Sequence, residues 1–254
     1  MTHYFTFLKK EFLESIRTYK LFIIVIIFAI FGVLSPLAAK LMPYIIENLL
    51  PDGNQIIIST PTAYDSWTQF FKNITQTGLV AIVLVFGGIL VNELSKGTLI
   101  NILTKGLSRS AVILAKLTFL SITWTLCLLT AFSITWMYTV TQFPPSDPSN
   151  LFFSIFCLWL FGIFLLALLL CSSTLTHSNF SHLMIIGFSI LVLFFLTIFP
   201  KIQKYSPLYL ISNNMELLTK QVDPNSFFKA IWVTLILSSL TITISIAVFR
   251  KKQL

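Results

Sequence analysis

The chain has 254 residues, of which 56% are hydrophobic and only 10% are charged, and its mean hydropathy is +0.88. About a quarter of the residues in an ordinary soluble domain are charged, so this composition excludes one. The net charge of +8 would favour a nucleic-acid partner in a soluble protein, but in a membrane protein it first reports topology. Long uncharged runs recur, and the alternating segments of about ten residues that build an outer-membrane barrel do not. We therefore predict an all-α integral membrane protein.

The first predicted element is an amphipathic helix over residues 2–19. One face of its helical wheel is apolar and the charged residues lie elsewhere, which is typical of a helix lying in the plane of a membrane interface. The first uncharged run follows directly. We interpret this run as a true span and not as a cleaved signal peptide, because further spans follow it. The apolar face of the interface helix consists of Tyr4, Phe5, Leu8, Phe12, Ile16 and Tyr19.

Six transmembrane helices are predicted from the uncharged runs. The run from Leu151 to Pro200 has no Asp, Glu, Lys or Arg and is too long for one bilayer crossing, so it must fold back at the polar segment 171–182. The third span carries Ser and Thr along its length, which predicts contact with protein more than with lipid. The predicted spans cover about residues 21–39, 73–92, 111–140, 151–171, 182–199 and 227–249.

Three predicted outer loops, residues 40–72, 141–150 and 200–226, separate these spans on one side, and prolines punctuate all of them. Within the first loop, Thr60-Pro61 predicts the start of a helix that leads into the second span with its aromatic side chains on one face. Within the last loop, Asp223-Pro224 predicts the N-cap and first residue of the final helix.

The cysteine and histidine residues do not indicate a disulfide framework or a metal site. Cys127, Cys157 and Cys171 lie inside apolar runs without the spacing of a metal site or a disulfide framework, so we interpret them as packing residues. His177 and His182 flank the predicted fold-back and have no acidic or cysteine partner nearby in the sequence. We interpret them as polar turn residues, with a metal site or a proton relay as the alternative. We predict no catalytic residue and no metal site, and the substrate-binding residues are unknown at this stage.

Charge is distributed unequally between the two sides of the predicted bundle. The side with both termini carries 11 Lys and Arg against 3 acidic residues, whereas the other side carries 6 against 6. The positive-inside rule therefore places both termini of this multi-pass membrane protein in the cytoplasm. The basic side is expected to meet anionic membrane lipid, and nucleic acid is not expected as a partner.

The segment 93–116, between the second and third spans, gathers charge, glycine and a short amphipathic run in one place. The chain contains no G-x-x-x-x-G-K-[ST] phosphate loop, no H-E-x-x-H, no G-x-S-x-G and no Asp or Glu within the predicted spans. These absences disfavour a self-powered pump, a proton-coupled carrier and an intramembrane hydrolase. If this protein moves a substrate, a partner supplies the energy.

The pattern Glu93-x-x-x-Gly97-Thr98-Leu99, followed by Leu103-Thr104-x-x-x-Ser108-Arg109 and Ile113-Leu114-x-Lys116, resembles the cytoplasmic loop between spans two and three of ABC-2 type transporter permeases. The amino-terminal Lys10-Glu11 with Arg17, the six-span layout and the Ser206-Pro207 segment before the last span are similar as well. The segment departs from that family at Lys105-Gly106-Leu107, where a proline often precedes the Ser-Arg pair.

This resemblance implies a membrane subunit that pairs with a second permease copy or a paralogue and usually exports its substrate. It also implies two copies of a separate ABC ATPase subunit, which bind ATP and Mg, so that this chain needs no cofactor and is not itself an enzyme. The interface helix and the coupling loop 93–116 would contact that ATPase. The ATPase-coupling residues so implied are Lys10, Glu11, Arg17, Glu93, Gly97, Thr98, Leu99, Leu103 and Arg109.

The residues themselves agree with such a coupling loop. Gly97 and Gly106 permit tight bends at the two ends of a short helix, and Glu93 is placed to cap that helix or to pair with a nearby cation. The short helix would offer apolar contacts that pass a rigid-body movement into the bundle. These apolar residues are Leu99, Ile100, Ile102 and Leu103.

The uncharged spans favour an amphipathic or lipid-like cargo, such as an antimicrobial peptide, a lipid or a drug, over a bare ion that needs fixed ligands. The alternative function is a non-transporting membrane scaffold or sensor that docks a cytoplasmic partner. For the loop itself, the alternative is a basic segment that only fixes topology.

Overall fold

Helices follow one another along the chain, and the computed structural model describes residues 2–49, 60–104, 106–145, 148–176 and 178–252. No strand occurs within these ranges, and six helical stretches are long and apolar enough to cross a membrane. The prediction of an all-α integral membrane protein with six spans is confirmed. The stretches are Lys20–Ile45, Ala63–Ser95, Arg109–Gln142, Leu151–Leu175, Asn179–Thr197 and Pro224–Lys251.

The helices are numbered in chain order over the described residues. A π-helical turn, Ile74–Gly78, joins α3 to α4, and a 3-10 turn, Pro224–Ser226, precedes α13. The second span is therefore assembled from α3, this π turn, α4 and α5. The helices are α1 Thr2–Arg17, α2 Lys20–Leu49, α3 Ala63–Asn73, α4 Leu79–Phe86, α5 Gly88–Ser95, α6 Thr98–Leu103, α7 Arg109–Gln142, α8 Leu151–Leu175, α9 Asn179–Thr197, α10 Pro200–Gln203, α11 Tyr209–Ser212, α12 Asn214–Leu218 and α13 Phe227–Lys251.

Helix α1 forms where the sequence predicts it, and part of its predicted apolar face packs on the bundle. Tyr4, Leu8 and Phe12 of that face are half-buried, and the rings of Phe12 and Phe119 lie 4.8 Å apart. The deepest stripe lies beside them: Phe7, Glu11 and Ser15 are buried, at a spacing of four residues that places them on one face. The wheel does not predict the buried Glu11, because its partner is a charge on another helix.

Helix α2 continues through two prolines to Leu49, so the predicted end of the first span at residue 39 is too early. Pro36 has no N–H to donate to the carbonyl four residues earlier, which belongs to Gly32. Thr135 of α7 donates a 3.0 Å hydrogen bond to that carbonyl, and a Cβ on Gly32 would approach the Ala131 oxygen to 2.9 Å. The close α2–α7 crossing thus satisfies the group that proline leaves free.

Two tryptophans lock α7 to α8. Trp124 Nε1 donates to the Trp159 carbonyl oxygen and Trp159 Nε1 donates to Thr125 Oγ1, both at 3.0 Å. A Cβ on Gly162 would lie only 2.3 Å from the Trp124 ring, so a glycine is needed there. Among the spans, α8 is the most buried and α9 the least. The three cysteines are buried and unbonded to one another, as packing residues should be.

The fold-back between α8 and α9 spans residues 176–178, within the predicted polar segment. His182 is fully buried in the first turn of α9, and its Nδ1 lies 2.7 Å from Ser172 Oγ of α8. The interpretation of His182 as a turn residue is therefore wrong: the imidazole ties the two antiparallel helices together. His177 lies outside the described residues.

The predicted outer loops contain more helix than expected. Residues 40–49 belong to α2 and residues 63–72 to α3, which leaves residues 50–62 between them, of which 50–59 lie outside the described ranges. Residues 200–226 hold α10 to α12 and the 3-10 turn, in which Asp223 Oδ1 accepts the Asn225 N–H at 2.9 Å as the N-cap. Short helices arise because the loop's apolar residues, among them Leu210, Leu217 and Leu218, pack into the bundle.

The bundle has two ends, which we call the terminal face and the far face. The terminal face carries α1, α6 and residues 250–252, because Tyr4 and Arg109 link both ends of the chain to the first turns of α7. The far face is the opposite end, with the start of α3, residues 143–145 and 148–150, and α10 to α12.

The Gly32 carbonyl generates the first prediction. Thr135→Val keeps the side-chain shape but leaves this buried carbonyl without its donor, so we expect a loss of about 1–3 kcal/mol in the free energy of unfolding. Thermal unfolding of the detergent-solubilised protein measures it. Thr130→Val is the matched control, because the Thr130 hydroxyl is exposed and bonds only within its own helix, to the Leu126 oxygen. Equal effects of the two substitutions would contradict the structural role given to Thr135.

Candidate functional site

A fully buried lysine lies at the terminal face, two turns into α7. The ammonium of Lys116 contacts Glu11 Oε1 at 2.9 Å and Glu93 Oε2 at 2.7 Å. It also donates a 3.0 Å hydrogen bond to the carbonyl oxygen of Ile89. Because its side chain is 0% exposed, its charge is stabilised by these protein groups and not by water. Helices α1, α5 and α7 therefore meet at one buried ammonium.

A second lysine, Lys10, closes this arrangement from the solvent side. Its ammonium contacts Glu14 Oε2 at 2.7 Å and Glu11 Oε1 at 3.2 Å, and it also pairs with Glu93. Burial by itself lowers the pKa of Lys10, but the Glu11 charge and the hydrogen bonds to Glu14 and Glu93 outweigh it and raise this pKa above its ordinary value. Lys10 is thus held in its charged form.

The Glu14 carboxylate responds in the complementary direction. Its partial burial would raise its pKa, but the hydrogen bond from Lys10 and the nearby lysine charges lower the pKa below its ordinary value. Both shifts favour the charged forms, so the Lys10–Glu14 pair stays ionic throughout the physiological pH range. We call the five side chains Lys10, Glu11, Glu14, Glu93 and Lys116 the ion-pair cluster.

The three carboxylates of this cluster have oxygens within 4.8 Å of one another, a spacing that brings strong mutual repulsion unless cations intervene. Two ammonium groups touch them and supply that compensation. The cluster therefore joins helices through ion pairs. The positive charge that offsets the carboxylates comes from two lysines of the chain.

Aromatic contacts fix α1 above this joint. The Phe7 ring lies 5.3 Å from the Lys10 ammonium and 5.5 Å from that of Lys116, within the range of cation–π attraction. One turn earlier, Tyr4 Oη and Thr118 Oγ1 share a 2.8 Å hydrogen bond. The position of α1 relative to α7 is thus specified by a charge, a ring and a hydroxyl at successive turns.

Arg109 lies at the first residue of α7 and caps the end of another helix. Its Nη1 donates to the carbonyl oxygens of Phe249 and Arg250, both at 2.9 Å, and of Lys252 at 2.5 Å. These carbonyls belong to the last turn of α13, where orphan acceptors and the helix dipole favour a cation. The guanidinium also lies 5.9 Å from the Phe249 ring. Span three is thereby fastened to the end of span six.

Lys252 extends this bracing to α8. Its ammonium donates to the carbonyl oxygens of Thr174 and Thr176 at 2.9 and 3.0 Å, which terminate the fourth span. Burial lowers the pKa of Lys252 below its ordinary value. Two successive caps, Arg109 on α13 and Lys252 on α8, therefore link three spans at the terminal face.

The short helix α6 lies between two glycines in the left-handed region, Gly97 with φ +66° and Gly106 with φ +90°. These angles favour glycine over any residue with a Cβ, as the predicted bends require. Leu99 is fully buried in the bundle, whereas Thr98 is exposed and its hydroxyl donates a 3.3 Å hydrogen bond to the Glu93 carbonyl oxygen. Helix α6 thus follows directly from the Glu93 end of α5.

The chain was compared with known proteins. The family model described as "ABC-2 family transporter protein" matches residues 5–249. The chain belongs to the ABC-2 family of transporter proteins. It is also similar to the uncharacterized transmembrane protein YxlG of Bacillus subtilis (strain 168), with 25% identity over 203 residues that cover 79% of each chain.

Membership of the ABC-2 family makes this chain a membrane subunit of a transporter, a transport component that is not itself catalytic. ABC-2 permeases normally work with an ABC ATPase. Its six apolar helices agree with a multi-pass membrane protein. The expected family residues can now be placed on the structure.

The structure brings some of the predicted coupling residues together and separates others. Lys10, Glu11 and Glu93 meet in the ion-pair cluster, and Gly97, Thr98, Leu99 and Leu103 build α6 and its entry. Arg109 instead contacts the end of α13, and Arg17 is exposed in the last turn of α1. The side chains of Ile100 and Ile102 lie outside the described residues.

Sequence reasoning missed Lys116 and Lys252 as organising residues of this ABC-2 chain. Lys116 was expected only as the last residue of the family-like pattern and as a cytoplasmic charge, although it directly precedes an uncharged run that extends to Phe143. A lysine so close to a span would have been a detectable signal, because a charge there needs a carboxylate from a neighbouring helix. Lys252 gave no signal, since basic residues after a final span are ordinary.

Removal of the buried ammonium is the sharpest test of the cluster. Lys116→Met leaves Glu11 and Glu93 without their buried partner, and breaking such a pair costs about 3–5 kcal/mol. We expect a correspondingly lower thermal midpoint in detergent. Lys96→Met is the control, because Lys96 is exposed on the same face.

A rescue experiment separates lost charge compensation from lost packing. Adding Glu93→Gln to Lys116→Met removes one unpaired carboxylate and should recover part of the lost stability, which a double-mutant cycle quantifies. If Glu93→Gln lowers the stability of the Lys116→Met variant further, the pairing of Lys116 with Glu93 is not what stabilises this site.

The Arg109 cap generates a separate prediction. Arg109→Gln removes the cation that holds three carbonyls, so the last turn of α13 should fray and its amides should exchange hydrogen several-fold faster. Hydrogen–deuterium exchange followed by mass spectrometry reads this turn directly. Arg250→Gln removes an equal, exposed charge from the same turn and should leave exchange unchanged; similar acceleration by both variants would refute a specific cap.

Proposed function

We propose that this chain is the permease subunit of an ATP-driven ABC exporter and that the ion-pair cluster transmits the motion of a separate ATPase into the bundle. The observation that carries this proposal is the fully buried Lys116 ammonium, which joins α1, α5 and α7 at one point. ATP and Mg are bound by the ATPase and not by this chain.

The cluster is suited to transmit motion because its members lie on three separate elements. Glu11 belongs to the helix along the edge of the bundle, Glu93 ends the second span, and Lys116 begins the third. A buried ion pair strongly resists separation of its partners. A push on α1 or on α6 therefore moves spans two and three as a unit instead of being absorbed by loops.

The surface offered to the ATPase is the exposed part of α6 and its flanks. Lys96 and Thr98 are exposed just after Glu93, and Ser108 is exposed at the far end of the loop. Leu99 and Leu107 face inward and anchor this surface to the bundle. A docked subunit would thus act on residues directly connected to the ion-pair cluster.

The terminal face is cytoplasmic in this proposal. Of its charges, 11 are basic and 3 acidic, against 6 and 6 at the opposite side, and the positive-inside rule retains such a face in the cytoplasm of a bacterial plasma membrane. An ATPase that consumes cytoplasmic ATP would meet the chain on this side.

The functional assembly contains two permease chains, either copies or paralogues, and two ATPase subunits. Spans one, five and six are the least buried, and they leave apolar surface for a second permease as well as for lipid. The cargo is amphipathic or lipid-like, because the interiors of the spans offer aromatic and hydroxyl groups instead of fixed ion ligands.

The test separates binding from coupling. The tagged chain is extracted from its native membrane in mild detergent, co-purified proteins are identified by mass spectrometry, and ATP turnover is measured. We expect an ABC ATPase with the wild-type chain and its loss with Thr98→Arg, which places a bulky cation on the exposed face of α6. Lys10→Gln weakens the cluster without altering α6. The ATPase should therefore still co-purify with this variant, but the ATP turnover of the complex should fall several-fold.

Lys40→Gln and Lys72→Gln, on exposed lysines of the far side, are the controls and should change neither quantity. Wild-type protein that brings down no ABC ATPase would defeat the transporter proposal and favour a scaffold or sensor. An ATPase that binds and turns over normally with Lys10→Gln would leave the permease assignment standing and remove the ion-pair cluster from the coupling route.

A further inference from the structure

The far face has a distribution of charge that topology does not require. It carries six lysines, and four of them lie close in sequence, between residues 201 and 229. The positive-inside rule disfavours basic residues on this side, so a local concentration of them calls for a physical explanation. These four lysines are Lys201, Lys204, Lys220 and Lys229.

Three acidic residues of the far face lie in the part of the chain that the structure describes, and none of them pairs with a lysine. Asp65 accepts hydrogen bonds from the Thr62 N–H and hydroxyl, both at 2.8 Å, Asp223 caps the 3-10 turn, and Glu216 accepts from Asn213 at 2.7 Å. Among the described residues, every ion pair involves the terminal-face cluster. These three carboxylates thus shape turns, and no described carboxylate pairs with the four lysines.

One aromatic ring connects Lys229 to the segment that carries Lys201 and Lys204. Lys229 Nζ lies 5.4 Å from the centre of the Tyr205 ring, a cation–π contact. Lys204 precedes Tyr205 in the chain, and Lys201 lies three residues before Lys204 in a continuous helical turn, which places their Cβ atoms about 5–6 Å apart. All four residues are exposed. We call Lys201, Lys204 and Lys229 the lysine patch.

The patch has a rigid support. Tyr209 packs on Phe227 with ring centres 4.9 Å apart, both are buried, and Leu210 beside them is fully buried. These contacts hold the loop that carries Lys201 and Lys204 against the first turn of α13, which carries Lys229. The backbone segments that carry the three lysines are therefore held together by the fold.

Apolar surface adjoins the patch on both spans that meet there. Phe195, Phe199 and Ile202 are exposed toward the end of α9 and in α10, and Phe228 and Trp232 are exposed at the start of α13. Aromatic side chains next to lysines are the residues that settle at the level of lipid headgroups, where the rings meet acyl chains and the cations meet phosphate. The patch thus has the two halves of a phospholipid site.

We propose that the lysine patch binds the headgroup of an anionic phospholipid, such as phosphatidylglycerol, in the leaflet at the far face. The phosphate lies between Lys201, Lys204 and Lys229, and the acyl chains lie along the exposed aromatic side chains of α9 and α13. Charge complementarity selects the occupant, since three unpaired cations next to an apolar surface fit an anionic lipid better than a zwitterionic one. This site does not depend on transport or on which leaflet the far face adjoins.

The test uses the full chain in phosphatidylcholine nanodiscs that contain a photoactivatable phosphatidylglycerol, with cross-links mapped by mass spectrometry. We expect strong labelling of residues 195–205 and 228–232, which unlabelled phosphatidylglycerol suppresses and added phosphatidylcholine or soluble glycerol phosphate does not. Because each lysine near an anionic surface favours binding by roughly fivefold, the triple variant Lys201→Gln/Lys204→Gln/Lys229→Gln should lose about tenfold or more of this labelling.

The matched control, Lys40→Gln/Lys72→Gln/Lys220→Gln, removes the same charge from the same face outside the patch and should retain the labelling. Equal loss in both triple variants would overturn the proposal in favour of a diffuse surface field. Competition by glycerol phosphate would point to a soluble anion instead. If the patch variant does not fold, labelling of the wild-type chain tests the proposal by itself. Equal labelling by photoactivatable phosphatidylglycerol and by photoactivatable phosphatidylcholine would exclude a site for anionic lipid.

Discussion

The structure depends on one buried ammonium. Lys116 is fully enclosed near the terminal end of the third span, where an unpaired charge would be strongly destabilising. It is tolerated because Glu11 and Glu93 approach it from two other helices at 2.9 and 2.7 Å and the Ile89 carbonyl accepts its remaining hydrogen bond. This requirement joins three elements at one point, and it connects the edge helix of this ABC-2 chain to two of its spans.

The rest of the terminal face is likewise organised by groups that need hydrogen-bond partners. A helix end leaves carbonyls without partners, and here cations supplied by other segments fill those positions: Arg109 on α13 and Lys252 on α8. In the middle of the bundle, the carbonyl that Pro36 leaves free is used by Thr135. Each connection between spans is thus made at a place where the backbone or a charge would otherwise lack a partner.

The two faces use their charges in opposite ways. On the terminal face carboxylates pair with lysines in a buried network, whereas on the far face Asp65 and Asp223 cap turns and leave lysines exposed. Formal counting gives the far face no net charge, yet none of its described carboxylates pairs with a lysine. A count of charge per loop therefore does not predict the local field, because it ignores which donors the carboxylates already bind.

Uncharged length and glycine placement are local properties of the chain, so the class, the number of spans and the position of the segment between the second and third spans can be predicted from the sequence. The sequence also offers Glu93 two roles, as the cap of a short helix or as the partner of a cation. The identity of that cation depends on tertiary packing, because Lys116 is 23 positions away in the chain and is brought to Glu93 by the packing of α5 on the bundle. The same holds for α1: its wheel predicts the half-buried Tyr4, Leu8 and Phe12, but the buried Glu11 is stabilised by a lysine of another helix, and no pattern within α1 records that partner.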